Sequence, residues 1–528
     1  MNRHSDRSGM GALRAVPRGV LAVACAAALL PGLAAAQVAP NNPYQSQQRA
    51  LVGTGFGQVD APRGAYLEPR LEAATQYASN INLAEDSADK IATYGLELAP
   101  GIYASYNTGR VNAALDYTLI ARAWDDSDYN DLGHQLSANG RVVAVPELFY
   151  IDADASYGDT IIDPAQSLNY GNMGIFGQKN LAEQATASVS PILRKRFHDL
   201  EVEAAYSYGR VWYLNPGKSQ STTVGALSYD NSVDQAAHFS LGTVREGRKL
   251  NGRIYYEWNK SDYDRAVPYQ YERAGFDGSF LMTRTLSLIG DVGRESKLDQ
   301  STTQGGLDGQ YWDAGLRYAP DARTSAEARY GERFFGTSYS GSIEHRARFI
   351  DVTMSYSEEP SVQTRGLSLG EFDPGTIPPG PDGGIDGGRL NSQPYISKDG
   401  RIAIVAKGSR TEISLNAYDT KRDFIRNAFG DEHGQGVSLG ATRKLASNFS
   451  IDASAAYMDI TRNASTTIID PLTSSHDYDT QAIVRANREF GPRITASLEA
   501  GFLNRSGSSN YDGWWVGLRG KWAATRAR

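Results

Sequence analysis

The side chains that could do chemistry are thinly spread along this sequence. Asp125, Asp126, Asp128 and Asp131 cluster in one stretch, and a hard cation such as calcium favours oxygen ligands of that kind. Their spacing lacks the glycine turn and terminal glutamate of a calcium loop, so a solvated acidic loop is the simpler reading. His134, His238 and His345 fall in strand-like segments, and the histidines as a set show no HExxH pair or other metal-ligand spacing. The single cysteine, Cys25, lies in an N-terminal stretch with the layout of a cleaved leader, so the mature chain is expected to hold no disulfide, thiol nucleophile or thiolate metal site. No catalytic residue, cofactor or metal is therefore expected. Charged pairs are more informative: Glu201 and Glu203, Arg253 and Glu257, Glu327 and Arg329, and Arg519 and Lys521 each recur at a spacing of two or four. In an extended chain that spacing puts both members of a pair on one face. Both signs are present, so no preference for anions or cations follows.

Such pairs need strands to position them, and the alternation is clean. Val111, Ala113, Leu115, Tyr117 and Leu119 alternate with Asn112, Asp116 and Thr118. Phe149, Ile151, Ala153, Ala155 and Tyr157 alternate with Tyr150, Asp152, Asp154 and Ser156, and Leu200, Val202, Ala204, Tyr206 and Tyr208 with Glu201, Glu203 and Ser207. One face is apolar and the other is charged or small. Tyr150 and Tyr255 lie on polar faces, where they would fill a lumen or offer rings for sugars to slide over. Tyr103, Tyr106, Tyr157, Tyr208, Tyr318 and Tyr356 near strand ends fit aromatic girdles.

The connections separate a barrel from a two-sheet sandwich. Ten short turns fall near residues 107–109, 145–146, 196–198, 246–248, 282–283, 320–321, 347–348, 407–409, 446–447 and 491–492. Between them lie eleven usually longer loops, near 80–90, 123–131, 158–180, 213–232, 258–268, 294–308, 333–338, 358–395, 419–435, 460–479 and 504–512. That makes about 22 strands, in a plausible range of 18–22, from near Arg70 to near Trp522. Strict alternation of short and long is what an up-and-down antiparallel transmembrane β-barrel shows, with short periplasmic turns and long extracellular loops. A sandwich has no reason to show it.

Composition agrees. The 528 residues are 41% hydrophobic and 21% charged with a formal net charge of −7, and include 54 Gly and 30 Tyr. No apolar run in the body reaches the roughly 20 residues of a membrane helix. Arg3, Arg7, Arg14 and Arg18, an apolar stretch from Gly19 to Leu33, and Ala34-Ala35-Ala36 before Gln37 have the layout of a signal peptide cleaved after Ala36. A lipidated N-terminus at Cys25 is the competing reading. The expected organisation is a signal peptide at 1–36, a short periplasmic segment at 37–67, an outer-membrane barrel at 68–522 and a tail at 523–528. The stretch from Gln37 to Leu67 is too short for the globular plug of large iron-siderophore transporters, which argues against a TonB-coupled transporter. Loop 358–395, rich in Pro and Gly, reads as a flexible external loop or as a constriction folding into the lumen.

Four segments stand out: Tyr330-Gly331-Glu332-Arg333-Phe334-Phe335-Gly336-Thr337-Ser338-Tyr339 with His345, Asp131-Leu132-Gly133-His134-Gln135-Leu136, Tyr395-Ile396-Ser397-Lys398, and Arg505-Ser506 ahead of Tyr511 and Leu518. Together they resemble stretches of the outer-membrane β-barrel family associated with the PEP-CTERM/exosortase system. The resemblance implies a Gram-negative cell that makes exopolysaccharide, and a role in export or assembly of extracellular matrix. It supplies no catalytic residue. Family chains tend to stop at the aromatic end of the last strand, whereas this one runs on from Trp522 to Arg528.

The expectation is a non-enzymatic, porin-like channel or assembly component for exopolysaccharide or PEP-CTERM protein export. A lumen-blocked structural barrel anchoring polysaccharide or partner proteins is the alternative, and a lipid-modifying enzyme the remote one. Expected partners are outer-membrane lipid, exopolysaccharide or exported proteins, and the barrel-assembly machinery, with no nucleic acid.

Overall fold

The computed structural model describes residues 64–161, 169–171, 173–176, 181–214, 230–243, 249–266, 268–296, 309–361, 394–425, 430–463, 475–508 and 510–524. They are almost wholly strand. In chain order the strands are β1 (Gly64–Ala78), β2 (Thr93–Asn107), β3 (Val111–Trp124), β4 (Asp131–Val145), β5 (Phe149–Ile161), β6 (Asn169–Gly171), β7 (Gly174–Phe176) and β8 (Leu181–Phe197). There follow β9 (Leu200–Leu214), β10 (Ser232–Thr243), β11 (Leu250–Tyr263), β12 (Tyr269–Leu281), β13 (Leu286–Ser296), β14 (Gly309–Asp321), β15 (Thr324–Arg333) and β16 (Gly336–Arg346). The last are β17 (Ile350–Ser361), β18 (Tyr395–Lys407), β19 (Thr411–Phe424), β20 (Glu432–Ala446), β21 (Phe449–Arg462), β22 (Ser475–Glu489), β23 (Ile494–Ser506) and β24 (Tyr511–Ala523). β6 and β7 form a small hairpin of their own; the other 22 make one antiparallel sheet. β1 pairs with both β2 and β24, from Arg70 opposite Ala523 to Ala78 opposite Trp515, which closes the sheet into a cylinder. Closure leaves no strand edge, as lipid requires of a spanning sheet.

The two faces follow from the alternation. On β1, Leu67 and Leu71 point outward and are exposed, while Glu68, Arg70, Glu72 and Gln76 point inward and are buried. On β24, Trp514, Val516, Leu518 and Trp522 face out, and Trp515, Arg519 and Lys521 face in. Outward rings gather at both strand ends. Tyr77 stacks on Tyr94 and Trp514 with centroids 4.8 and 5.2 Å apart at the loop end, and Trp312, Tyr330 and Tyr339 form a chain of edge contacts at the same level. Tyr106, Tyr318 and Trp522 mark the turn end. Tyr103 departs from the expected girdle: its register puts it on the inward face with Glu97 and Gly101, where the Arg70 guanidinium lies 4.8 Å from its ring.

The expected turns and loops fall at or beside the connections between consecutive barrel strands, the turn at 246–248 lying outside the described residues, and the 22-strand barrel is the one the alternation implied. Pro320 and Asp321, expected as a turn, end β14, and the turn itself is Ala322-Arg323. Other boundaries differ as well. β1 starts at Gly64, paired with Asn107, rather than near Arg70, because Tyr66 and Leu67 already alternate. The expected loop at 333–338 is a two-residue connection, Phe334-Phe335, since Arg333 pairs with Gly336. Loop 158–180 contains the β6–β7 hairpin, whose three-residue strands are too short to show periodicity. The proposed leader, the gate segment at 362–393 and the tail beyond residue 524 lie outside the described residues. Wall height is uneven: β1 and β2 have 15 residues each, β15 has 10 and β16 has 11. Five residues amount to roughly 16 Å of strand.

Candidate functional site: the lumen

Inward side chains from different strands meet because neighbouring strands share register. Across the closing seam they form a row of alternating charge. Arg519 donates to Glu72 at 2.7 Å and lies 3.0 Å from Glu97; Arg122 donates to Glu97 at 2.9 Å and to Asp131 at 3.3 Å. Lys521 lies 3.2 Å from Glu72. Toward the turn end of this row, Arg70 donates to Glu68 at 2.7 Å and to Asp116 at 2.8 Å. On the other flank Arg485 is paired with Glu499, which also accepts from the Trp515 indole at 3.0 Å. Glu72 and Glu97 are only 1% and 2% exposed, so each charge is matched by the next rather than by bulk water.

Apolar groups cover this wall toward the loops. Ile81, in the β1–β2 loop, packs with inward-facing Ala74, Ala78 and Trp124 and with Met173 from the tip of the β6–β7 hairpin. The Met173 backbone N–H donates to the Gln76 side chain at 3.3 Å. Leu83 and Leu181 pack against a neighbouring cluster of Met458, Ile460, Leu503, Tyr511 and Trp515. The β1–β2 loop is held there by polar ties: Asn80 donates to the carbonyls of Ala84 at 2.9 Å and Asp512 at 2.8 Å, and Lys90 to Asp512 at 2.7 Å. The loop is thus folded inward and fixed.

A second polar patch lies on β11–β15. Tyr255 donates to Asp291 at 2.5 Å, Tyr311 reaches the same carboxylate at 3.1 Å, and the two phenols hydrogen bond to each other. Arg273 donates to Asp291 at 2.8 Å with its guanidinium 4.5 Å from the Tyr311 ring. Toward the loops Arg333 is held by Glu295 and the Tyr271 hydroxyl at 2.9 Å. Beyond this patch the wall empties. On β16 and β17 the inward positions include Ser338, Ser340, Ser342, Glu344, Thr353, Ser355 and Ser357, with Arg346 and Asp351 nearest the turn, and Ser342, Glu344, Thr353 and Ser355 are exposed although they face inward. Short side chains there leave the lumen surface open to water.

The residues singled out in the sequence fall into place as follows. Glu201, Glu203, Arg253, Glu257, Glu327, Arg329, Arg519 and Lys521 all face the lumen, as do Tyr150 and Tyr255. Arg329 joins Glu327 at 2.5 Å and Asp313 at 3.0 Å; His238 lies 3.9 Å from Glu257. The four aspartates do not converge. Asp126 caps a 3-10 turn at Ser127–Tyr129, and Asp131 serves Arg122. Burial and the neighbouring Asp126 and Asp128 raise the Tyr129 phenol above its usual range. Among the described residues no group of three or more His, Cys, Asp or Glu could hold a metal. His134 faces outward and shares a 2.8 Å hydrogen bond with Tyr117, and His345 shares one of 2.9 Å with Thr324. Sequence reading missed the Tyr255–Asp291–Tyr311–Arg273 cluster, whose members come from four strands with no local signature. It also passed over Gly436-Val437-Ser438-Leu439-Gly440, a formal GxSxG match. Ser438 lies in mid-strand on β20, 3.4 Å from the Asn416 amide, with no strand-to-helix elbow to expose it.

No protein-family model matches the chain, and no curated protein does. Solved structures do. A mutant ferric enterobactin receptor from Pseudomonas aeruginosa in complex with enterobactin is 10% identical, over 88% of this chain and 82% of that one, with a TM-score of 0.50. The FrpB iron transporter from Neisseria meningitidis (F3-3 variant) is 9% identical over 90% and 83%, with a TM-score of 0.47. The siderophore receptor PirA from Acinetobacter baumannii is 7% identical over 88% and 81%, also at 0.47. At such identity the first likeness establishes a shared fold, the large outer-membrane barrel, and nothing about cargo.

Proposed function

We propose that this protein is an outer-membrane channel or assembly component that passes hydroxyl-rich extracellular material, exopolysaccharide or PEP-CTERM-type exported protein, along the open side of its lumen. The observation that carries this reading is the uncovered wall of Ser342, Glu344, Thr353 and Ser355, inward-facing and exposed. Short hydroxyl side chains present donors and acceptors without deep pockets, which suits a sliding chain better than a tightly held small ligand. Tyr150 on the lumenal face adds a ring beside Asp152 and Asp154. The resemblance noted in the sequence supports the exopolysaccharide and PEP-CTERM context.

A second reading, a blocked barrel that anchors surface polysaccharide or partner proteins, is favoured by the inward-folded β1–β2 loop and by Met173. Planar-bilayer conductance separates the two. Refolded protein is expected to give stable openings that soluble polysaccharide partly blocks. Closed membranes across several preparations, with loop 358–395 intact and with it deleted, would sink the channel and leave the anchor.

A further inference from the structure

Exposed arginines predominate at the turn end of the barrel and exposed carboxylates at the loop end. At the turn end Arg110, Arg284, Arg323, Arg348, Arg410 and Arg493 belong to six different turns spread around the rim, all are exposed, and none forms an ion pair with a carboxylate among the described residues; the exposed carboxylates on this rim, Glu147, Asp321 and Glu489, are fewer. At the loop end Glu85, Asp86, Asp89, Asp125, Asp128 and Asp264 stand exposed. Cations near them are already engaged, Lys90 with Asp512 and Arg265 with Asp230. Along the sequence the two signs are interleaved; folding sorts them by sending every second connection to the same end.

We propose that the arginine ring is a docking rim for a polyanionic polymer, a chain bearing repeated carboxylates, that enters the lumen from the periplasmic end. This rests on the channel reading and names the charge class of its cargo. Guanidinium groups pair with carboxylates through two parallel hydrogen bonds, and a ring of them offers a polymer several weak contacts at once. Exposed pairs are individually weak, so only a multivalent anion gains much from the ring. The acidic far mouth repels the same polymer, which disfavours re-entry from outside. An anionic phospholipid is the competing occupant. The exposed outward side chains nearest these turns are apolar, among them Phe280, Phe349 and Phe490, so the arginines stand past the apolar boundary, at the mouth.

The test uses the full refolded chain in phosphatidylcholine bilayers, with polygalacturonate as the polyanion and neutral dextran of matched size as the control. Polygalacturonate is expected to block current from one chamber only, more strongly than dextran, with the effect lost as salt shortens the Debye length. Binding of labelled polygalacturonate to proteoliposomes is expected to fall roughly tenfold when all six arginines are changed to Gln. Equal block from both chambers, or binding unchanged in the six-fold variant, would overturn the proposal. So would a variant that loses retention of phosphatidylglycerol while keeping its polygalacturonate affinity. If binding depends on the arginines but membranes stay closed, the rim stands and the channel reading falls.

Discussion

The seam wall, β22–β24 with β1–β3, and the opposite wall, β14–β17, are built on the same alternation and end up as different materials. At the seam the inward positions hold long charged side chains on long strands, matched one to the next from Arg485 to Asp131 and roofed by Ile81 and Met173. Opposite, the strands are shorter; β14 and β15 still hold Asp313, Arg317, Glu327 and Arg329 inward, but on β16 and β17 the inward positions are mostly serine and threonine. Register is the same kind of antiparallel pairing in both. The difference teaches that side-chain length on the inner face, rather than backbone, decides where this lumen is solid and where it is open.

The largest expected effect comes from breaking the seam. Glu97→Ala removes the carboxylate shared by Arg122 and Arg519 and is expected to cost about 3–5 kcal/mol, read as a lower urea midpoint for unfolding from liposomes. Glu344→Ala on the open wall is expected to cost under about 0.5 kcal/mol. Equal losses would mean the seam charges are hydrated and the contrast is false. Next, Ile460→Ala empties a fully buried position in the apolar cluster and should cost about 2–5 kcal/mol by the same assay, with Thr353→Ala as its silent counterpart. Gly501→Ala should cost about 1–3 kcal/mol, because a Cβ there would lie 2.0 Å from the Trp515 ring and the seam has no slack. The smallest change sharpens the comparison without altering stability. In a chain whose one native cysteine is Cys25, Ser355→Cys is expected to react with a water-soluble maleimide at least about tenfold faster than Gln76→Cys, measured by mass shift over time. Similar rates would mean that water reaches both walls alike.

Much of the fold was legible. Alternation such as Leu200, Val202, Ala204 against Glu201 and Glu203 is a local property, and turn chemistry at Gly491-Pro492 or Gly408 is local too, so strands and connections could be counted along the chain. What escaped were features whose periodicity is too short or whose partners are remote. The β6–β7 hairpin has three-residue strands, and Tyr103 looks like any strand-end tyrosine until its parity with Glu97 is fixed. The inner wall was legible as polar and both-signed, as Arg519 and Lys521 illustrate, but not as matched. Glu72 and Arg519 are 447 residues apart and meet only because the first and last strands close the cylinder.

The sequence by itself determined that the chain is a large antiparallel barrel with one apolar face, because a period of two and alternating short and long connections admit little else. Tertiary structure alone decided that Tyr255, Arg273, Asp291 and Tyr311 form one cluster, that one wall is filled while another is open, and that the exposed arginines of six short turns gather at one end. The reason is physical: alternation is written between neighbours in the chain, whereas lumenal contacts depend on closure and register, which bring distant residues within hydrogen-bonding reach only after the whole sheet has formed.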